Sequence, residues 1–362
     1  MKKKVGIIIG TRPDILKMSP IIKHFSENSI PYTLIHSGQH YDPPMDTIFF
    51  EDLSIPKPHI NLQSSLEFDS FSDQTAVIMN KLKKVFLEEM IDIVVVLGDT
   101  NTAIAASIIA RRMSLVLVHI EAGLRSFDWK LQEEHNRVMI DHISDIKCAP
   151  TQNSFSNLVK ENIPKNTIYL TGNTIVDTIY DAHPLSLKSK ILEKLNLKQR
   201  FILATAHRAE NVDNYHSLYS IIKGLEKVAS ELNYKVVFPA HPRTAKKIAE
   251  FNIRMSKQII VIDPPGYLDF MALENSASLI ITDSGGVQEE ACILKRPCVT
   301  IRDYTERPET LNIGCNVLAG VNPDNIVKCA KKMLSQKILY KNPFGDGKSS
   351  VYITTVLKKL AE

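Results

Sequence analysis

The chain has 362 residues, a length that is typical of two domains rather than one. Its hydrophobic content of 44% and charged content of 23% exclude a disordered chain, and no apolar run approaches the ~20 residues that a membrane-spanning helix needs. The formal net charge of +4 is spread along the chain without a block of like charges, so no nucleic-acid partner is implied.

The N-terminus is basic and leads into a short apolar run, Val5 to Ile9. This run is too short for a signal peptide, and Gly10-Thr11-Arg12-Pro13 follows it without a small-residue cleavage site. We therefore expect it to be the first strand of a cytoplasmic protein. The five cysteines include no CxxC pair and are expected to be reduced, mostly buried thiols.

Short runs rich in valine and isoleucine alternate with longer amphipathic stretches along the whole chain. This alternation predicts an α/β fold, in which parallel sheets are covered by helices on both faces. In the first half the pattern predicts strands at residues 5–10, 32–37, 91–97, 115–120, 146–149 and 167–171, and helices that include 14–25, 73–90 and 100–112. In the second half it predicts strands at residues 201–206, 235–239, 259–262, 279–282 and 298–301, and helices around 215–232, 244–251, 286–294 and 325–334.

A polar, lysine-rich segment, residues 180–200, separates two blocks of strand–helix units. We expect an N-terminal Rossmann-like domain over residues 1–178 and a C-terminal one over residues 179–348. A final amphipathic stretch, residues 349–362, is expected to form a helix that returns to the first domain.

The polar residues that directly follow predicted strands carry the most weight, because ligands of open α/β sheets bind beyond the carboxyl ends of the strands. The first such segment is Gly10-Thr11-Arg12-Pro13-Asp14, with Lys17 one turn further. It is suited to hold phosphate at a helix N-terminus, or it is an ordinary turn with solvated bases. It is not a GxGxxG turn, and the chain contains no GxxxxGK[ST] sequence, which disfavours a nicotinamide cofactor and a standard NTPase phosphate loop.

Acidic residues follow two neighbouring strands, Asp99 in Gly98-Asp99-Thr100 and Glu121 in Glu121-Ala122-Gly123-Leu124-Arg125. An acid in this position is also a common helix N-cap, a role open to Asp99. A third acid, Glu133, lies four residues before Arg137, so both share a helix face, as in a surface ion pair.

In the second half, His207 and His241 each follow a strand and have basic neighbours. The Ser284-Gly285-Gly286 turn opens a helix whose backbone N–H groups suit a diphosphate. Glu290 lies one turn further on, placed to accept sugar or ribose hydroxyls, and Arg307 belongs to a polar segment after the next strand.

Taken in chain order, these motifs resemble the non-hydrolysing UDP-N-acetylglucosamine 2-epimerases over nearly the whole chain. The specific segments are Gly10-Thr11-Arg12-Pro13, Ser37-Gly38-Gln39-His40, Gly98-Asp99-Thr100, Glu121-Ala122-Gly123-Leu124-Arg125, Glu133-Glu134-His135-Asn136-Arg137, residues 282–290 and Thr305-Glu306-Arg307-Pro308-Glu309. The resemblance implies a GT-B-like architecture, two Rossmann-like domains whose parallel sheets face a central cleft, in a homodimer. It also implies a reaction without cofactor or metal.

The reaction that the resemblance implies is elimination of UDP to a 2-acetamidoglucal, followed by re-addition with C2 inverted. Carried over by motif, the acids that handle protons are Asp99, Glu121 and Glu133, and His207 joins them in the catalytic site. The residues that correspond to diphosphate or sugar ligands are Arg12, Lys17, Arg137, His207, Ser284, Gly285, Gly286 and Arg307, and Glu290 corresponds to the ligand of the ribose hydroxyls. The first domain is expected to act on the sugar and the second to bind UDP.

Many bacterial members of the family have a second, activating UDP-N-acetylglucosamine site beside the catalytic one. The residues that correspond to it here are Gln39, His40 and His241. The sequence departs from the common bacterial pattern nearby, with Ala209 where an arginine is frequent and a longer path from Gln39 to Met45.

Other functions remain open at the level of sequence. A hydrolysing relative would release UDP and free N-acetylmannosamine, and an epimerase for a UDP-diacetamido sugar would share the same motifs. A GT-B glycosyltransferase would share the fold and the diphosphate site, but the acids Asp99, Glu121 and Glu133 argue against it. A regulator that binds nucleotide sugars is the non-enzymatic alternative.

Overall fold

A computed structural model describes residues 3–39, 43–64, 71–197, 199–337 and 339–361. The chain divides into two compact units. The first unit comprises residues 1–180 and 344–362, and the second comprises residues 181–343. Within the described ranges, no helix is long and apolar enough to cross a membrane.

The first unit contains a seven-stranded sheet in the order β3-β2-β1-β4-β5-β6-β7, and all its pairs are parallel. Its strands are β1 (Val5–Ile9), β2 (Tyr32–His36), β3 (Ile60–Asn61), β4 (Ile93–Leu97), β5 (Val116–Ile120), β6 (Ile146–Ala149) and β7 (Ile168–Leu170). Every residue of β1 and β4 is buried, as expected for parallel strands covered on both faces.

The helices that cover this sheet follow the strands in turn. They are α1 (Arg12–Glu27), α2 (Pro43–Asp52), α3 (Phe71–Glu88), α4 (Asn101–Arg112), α5 (Gln132–Ile143), α6 (Gln152–Lys160), α7 (Thr174–Ser186) and, from the C-terminus, α16 (Ser349–Ala361). The buried Asp177 accepts hydrogen bonds from the N–H groups of Ser349 (3.2 Å) and Ser350 (2.9 Å). This carboxylate satisfies donors at the N-terminus of α16, which packs on α1.

The second unit contains a six-stranded parallel sheet in the order β10-β9-β8-β11-β12-β13. Its strands are β8 (Phe201–Thr205), β9 (Lys235–Pro239), β10 (Ile259–Ile262), β11 (Leu279–Thr282), β12 (Cys298–Thr300) and β13 (Asn316–Leu318). Its helices are α8 (Ile191–Lys194), α9 (Ala209–Val212), α10 (Tyr215–Leu232), α11 (Pro242–Glu250), α12 (Tyr267–Ser276), α13 (Gly285–Ile293), α14 (Pro308–Asn312) and α15 (Pro323–Ser335).

Strand order reverses direction at one point in each sheet, between β1 and β4 in the first unit and between β8 and β11 in the second. Such switch points are where open α/β sheets bind ligands, beyond the carboxyl ends of the strands. In this chain Gly10 and Gly98 follow the strands at the first switch point, and Ala206 and Asp283 follow those at the second.

The structure differs from the sequence prediction in several elements. The short strands β3 and β13 are additional, and the predicted strand at residues 91–97 begins two residues later, at Ile93. The predicted domain boundary, residues 178/179, and the division between the two compact units, residues 180/181, both lie in α7.

Candidate active site

The turn after β1 is organised by a buried carboxylate. Asp14 Oδ2 accepts hydrogen bonds from the backbone N–H groups of Gly10 (2.9 Å) and Thr11 (3.0 Å) at the start of α1. Burial raises the pKa of Asp14 to about 7, against the opposing effect of these hydrogen bonds. A Cβ at Gly10 would lie 2.1 Å from Thr102 Oγ1, so only glycine fits at this crossing of the turn and α4. The turn is therefore a rigid, closely packed part of the first switch point.

Glu121 follows β5 and has an unusual backbone conformation. Its φ is +70°, in the left-handed region that non-glycine residues rarely adopt. Its carboxylate accepts a hydrogen bond from the ammonium of Lys17 on α1, and both side chains are buried. Strained conformations of this kind cluster at functional sites. Lys17, which the sequence suggested as a phosphate or sugar ligand, is thus bound to the predicted catalytic acid.

Asp99 follows β4 and pairs with Arg137 of α5. The strands β4 and β5 are neighbours, with Leu97 opposite Ile120, so Asp99 and Glu121 lie at the same sheet edge. Asp99 is not the helix N-cap, because Thr100 has that role and accepts a hydrogen bond from Ala103 N at 3.1 Å. The Asp99 carboxylate is instead turned to Arg137 and is partly exposed.

Arg137 is buried, so the interpretation of a surface ion pair is wrong. Its guanidinium donates to Glu134 at 2.8 Å as well as to Asp99. Glu134 also accepts from the N–H groups of Ser126 and Phe127, both at 2.9 Å. Burial raises the pKa of Glu134, but these donors and Arg137 outweigh it and lower the net pKa. Glu133, the predicted third acid, is half-buried in the first turn of the same helix.

The remaining predicted ligands of the first unit are Arg12 and the candidates for an activating site. The Arg12 guanidinium lies over the ring of Phe49, 5.9 Å from its centroid. Gln39 Oε1 accepts from Thr102 N and Thr102 Oγ1, both at 2.8 Å, so this carbonyl is bound within the unit. His40 lies outside the described residues.

In the second unit, His207 is held by Asp283, which directly follows β11. His207 Nδ1 lies 3.0 Å from Asp283 Oδ1, and the N–H groups of His207 and Arg208 donate to Asp283 Oδ2 at 3.0 and 2.9 Å. Burial raises the pKa of Asp283, but these donors and Asn211 outweigh it and lower the pKa to about 2. The ring centroids of His207 and His241 are 5.9 Å apart, so the two predicted histidines lie together.

The Ser284-Gly285-Gly286 segment forms the N-terminus of α13, as predicted from sequence. Ser284 is the N-cap and accepts a hydrogen bond from Val287 N at 3.4 Å. Apart from the adjoining residues and the backbone of α13 itself, a Cβ placed at Gly285 or Gly286 would lie 3.8 Å from its nearest described neighbours, an ordinary van der Waals contact. Neither glycine has positive φ, so neither the backbone conformation nor a protein neighbour requires glycine there. The helix end therefore presents N–H groups at two positions where the protein would tolerate a larger side chain but has glycine, which lets a ligand approach the backbone closely.

Buried acids and bases surround this helix. Arg307 donates to Glu289 of α13, and Arg302 forms an ion pair with Glu306 at 3.1 Å. Glu290 is buried near Glu274 of α12, whose pKa is raised by burial and by the negative charge of Glu290.

Sequence reasoning assigned no role to Asp14, Glu134, His119, Asp141 or Asp283, although each is buried at these strand ends or on the adjoining helices. The sequence feature that could have identified Asp283 is its position directly after a strand, within the motif of residues 282–290. In the described ranges, no group of three or more His, Cys, Asp or Glu side chains is arranged to hold a metal ion.

The two sheets and the polar residues beyond their strands place the chain among the α/β proteins that bind ligands at switch points. A sequence model of the UDP-N-acetylglucosamine 2-epimerase family matches residues 23–358. The chain belongs to this family. The predicted family and the α/β fold class with two Rossmann-like, parallel-sheet units are thus confirmed.

Relatives match over nearly their full length. A UDP-N-acetylglucosamine 2-epimerase of Methanococcus maripaludis is 45% identical over 362 residues, which cover 98% of each chain. The crystal structure of the Methanocaldococcus jannaschii UDP-GlcNAc 2-epimerase in complex with UDP-GlcNAc and UDP is 44% identical, with a TM-score of 0.93 over 98% of this chain and 99% of that one. A Pseudomonas aeruginosa UDP-2,3-diacetamido-2,3-dideoxy-D-glucuronate 2-epimerase is 37% identical, over 99% of this chain and 100% of its own.

Proposed function

We propose that this protein interconverts UDP-N-acetylglucosamine and UDP-N-acetylmannosamine by inverting C2, without hydrolysing the sugar–phosphate bond. The observation that carries the proposal is the pair of acids at adjacent strand ends, Asp99 and Glu121, each with its own basic partner. Acids at two positions suit a reaction that must remove a proton from one face of a carbon and return it to the other. The identity of 45% and 44% to UDP-N-acetylglucosamine 2-epimerases supports the substrate.

The chemistry proceeds by elimination, because the C2 proton of the sugar has no adjacent carbonyl and is too weakly acidic for simple removal. A carboxylate takes the proton while the C1–O bond to UDP breaks. The C2–H electron pair forms the C1=C2 double bond, and the C1–O pair leaves with UDP. UDP then adds back to C1 while an acid delivers a proton to the opposite face of C2.

In this proposal, the first unit handles the sugar. Glu121, Asp99 and Glu133 share the proton transfers, and the cations Lys17, Arg137 and Arg12 offset the negative charge of the acids and of the leaving group. The buried Lys17–Glu121 contact fixes the carboxylate of Glu121 in one position. Fixed groups cost no reorganisation during the reaction, which is the main advantage of a built site over solvent.

The second unit binds UDP in this proposal. The N-terminus of α13 at Ser284, Gly285 and Gly286 receives the diphosphate, and the presence of two glycines that no close protein neighbour requires supports this assignment. Arg307 adds a positive charge, and Glu290 accepts the ribose hydroxyls. His207, whose Nδ1 lies 3.0 Å from Asp283 Oδ1, serves as a diphosphate ligand and a catalytic residue.

Product analysis tests the proposal. The purified protein is incubated with UDP-N-acetylglucosamine without added cofactor or metal, and the products are separated by anion exchange. We expect UDP-N-acetylmannosamine as the product. Free N-acetylmannosamine with stoichiometric UDP would instead select the hydrolysing reaction. Turnover of a UDP-diacetamido-glucuronate but not of UDP-N-acetylglucosamine would select the substrate of the P. aeruginosa relative.

A positional isotope experiment tests the elimination step. The substrate carries heavy oxygen in the bridge between C1 and the β-phosphorus. If the C1–O bond breaks, the β-phosphate can rotate before UDP adds back, and the label moves into non-bridging positions. Label that stays in the bridge during complete epimerisation would contradict elimination.

A further inference from the structure

A fully buried histidine lies between the strand ends that carry the two acids. His119, in β5, has no exposed surface. Its Nε2 lies 2.8 Å from the carbonyl oxygen of Gly98, and its Nδ1 lies 2.7 Å from Asp141 Oδ1 of α5. A peptide carbonyl can only accept a hydrogen bond, so Nε2 carries a hydrogen. The contact at Nδ1 is a charge-assisted hydrogen bond if Asp141 is ionised.

Asp141 meets this condition. It is also fully buried, and its Oδ2 accepts from Gly123 N at 3.1 Å and from the guanidinium of Arg125 at 2.8 Å. Burial raises the pKa of Asp141, but His119 and Arg125 outweigh this effect and lower the net pKa. Arg125 in turn donates to Glu161 at 2.6 and 2.7 Å, which balances its charge. Asp141 is therefore an ionised acceptor of these hydrogen bonds.

These contacts end on the backbone of the two turns that carry the predicted acids. Gly98, whose carbonyl accepts from His119, directly precedes Asp99, and Gly98 N donates to Ile120 O at 3.0 Å. Glu121 lies between His119 and Gly123, and both of these residues donate to Asp141. The same carboxylate thus holds the chain on both sides of the residue with φ of +70°. In proteins generally, a buried ion pair contributes little net free energy of folding, and replacing the whole pair with apolar groups is often neutral or stabilising. Stability alone is therefore a weak reason for this pair.

We propose that His119 and Asp141 are positioning residues that fix Asp99 and Glu121 relative to each other. His119 ties the turn of Asp99 to strand β5, and Asp141 ties both ends of the Glu121 turn to helix α5. Neither residue touches the substrate. This inference rests on the proposed function, since it assumes that Asp99 and Glu121 handle the protons.

The test compares three variants of the full-length protein. His119→Gln and Asp141→Asn disturb the positioning contacts. Asp177→Asn is the matched control, because Asp177 is a buried carboxylate of the same unit that holds the N-terminus of α16 and not an acid-bearing turn. For each variant, kcat and KM for UDP-N-acetylglucosamine are measured at a temperature where circular dichroism shows the folded protein, and UDP affinity is measured by calorimetry.

We expect kcat of His119→Gln and Asp141→Asn to fall about 100-fold, since a displacement of about 1 Å at the reacting groups can cost this much. UDP affinity should change far less than kcat, because the proposed ligands at the N-terminus of α13, Glu290 and Arg307 lie in the second unit. Asp177→Asn should keep its kcat even if it unfolds at a lower temperature. Wild-type kcat in both positioning variants would overturn the inference and leave the proposed function intact, whereas an inactive wild type would overturn both.

A second measurement uses only the wild-type protein, so it does not depend on whether the variants fold. In the wild-type protein with isotope-labelled histidine, nitrogen NMR should show a hydrogen on Nε2 of His119. A bare Nε2 would overturn the contact with the Gly98 carbonyl on which the positioning role depends.

Discussion

Replacing Gly286 with alanine should raise the stability of the folded protein and lower its affinity for UDP. Gly286 lies in the first turn of α13 without positive φ, and a Cβ there would lie 3.8 Å from Ser284 Oγ, an ordinary van der Waals contact. Alanine fits this backbone and restricts the unfolded chain, so the free energy of unfolding should rise by about 0.4–1 kcal/mol. The added methyl group would, however, occupy the space in which we place the diphosphate.

The cost to binding follows from the hydrogen bond that the methyl group would displace. A hydrogen bond from a backbone N–H to a charged phosphate oxygen contributes about 1.5–3 kcal/mol. Losing one should raise the Kd for UDP by about 10- to 150-fold, since each 1.4 kcal/mol is about tenfold. Calorimetric titration with UDP measures the affinity, and denaturant unfolding without ligand measures the stability.

Gly224→Ala is the matched control in the same unit. Gly224 lies in α10, where a Cβ would come within 2.7 Å of Ile326 Cδ1, so this variant should lose about 1–3 kcal/mol of stability by overpacking. Its UDP affinity should stay at the wild-type value. If Gly286→Ala instead binds UDP as tightly as the wild type, the diphosphate does not approach this helix end and the assignment is refuted.

The remaining predictions concern three carboxylates. Glu121→Gln should abolish turnover while calorimetry shows nearly unchanged UDP binding, and full activity would remove its catalytic role. The pKa of Asp14 is raised to about 7, so the folded state binds this proton more tightly than the unfolded chain does. The free energy of unfolding should therefore fall as the pH rises from about 4 to about 7, by at most about 1.4 kcal/mol per pH unit. Denaturant unfolding of Asp14→Asn should lack this pH dependence. The pKa of Asp283 is lowered to about 2, so the ionised carboxylate stabilises the fold above its unfolded pKa, and this stabilisation is lost as the pH falls toward 2. Asp283→Asn should lower the free energy of unfolding by about 2 kcal/mol at pH 7. If this variant unfolds in denaturant at the same concentration as the wild type, the prediction is contradicted.

Sequence reasoning predicted the strands whose apolar runs end abruptly at polar residues. The bounds of β6, β9, β10 and β11 agree with the prediction to the residue, and in β10 and β11 the reason is an aliphatic run that stops before an aspartate, Asp263 or Asp283. β3 and β13 were missed, since strands of two and three residues are too short to show a period.

The site shows where local patterns stop being informative. Asp99 and Thr100 are both good N-cap residues in adjacent positions, and only the path of the chain decides that Thr100 is the cap. Spacing of four residues pairs Arg137 with Glu133 but gives no sign of Glu134, whose carboxylate binds both the Ser126–Phe127 turn and the Arg137 guanidinium. Asp141 lies 22 residues from His119, and no local pattern could connect them.

The central claim is that C2 of the sugar loses its proton during the reaction. Proton NMR of the protein with UDP-N-acetylglucosamine in deuterated water follows C1 and C2 over time. The account predicts that each molecule of UDP-N-acetylmannosamine carries deuterium at C2. Formation of UDP-N-acetylmannosamine with the original hydrogen retained at C2 would contradict proton removal by the acids at the strand ends.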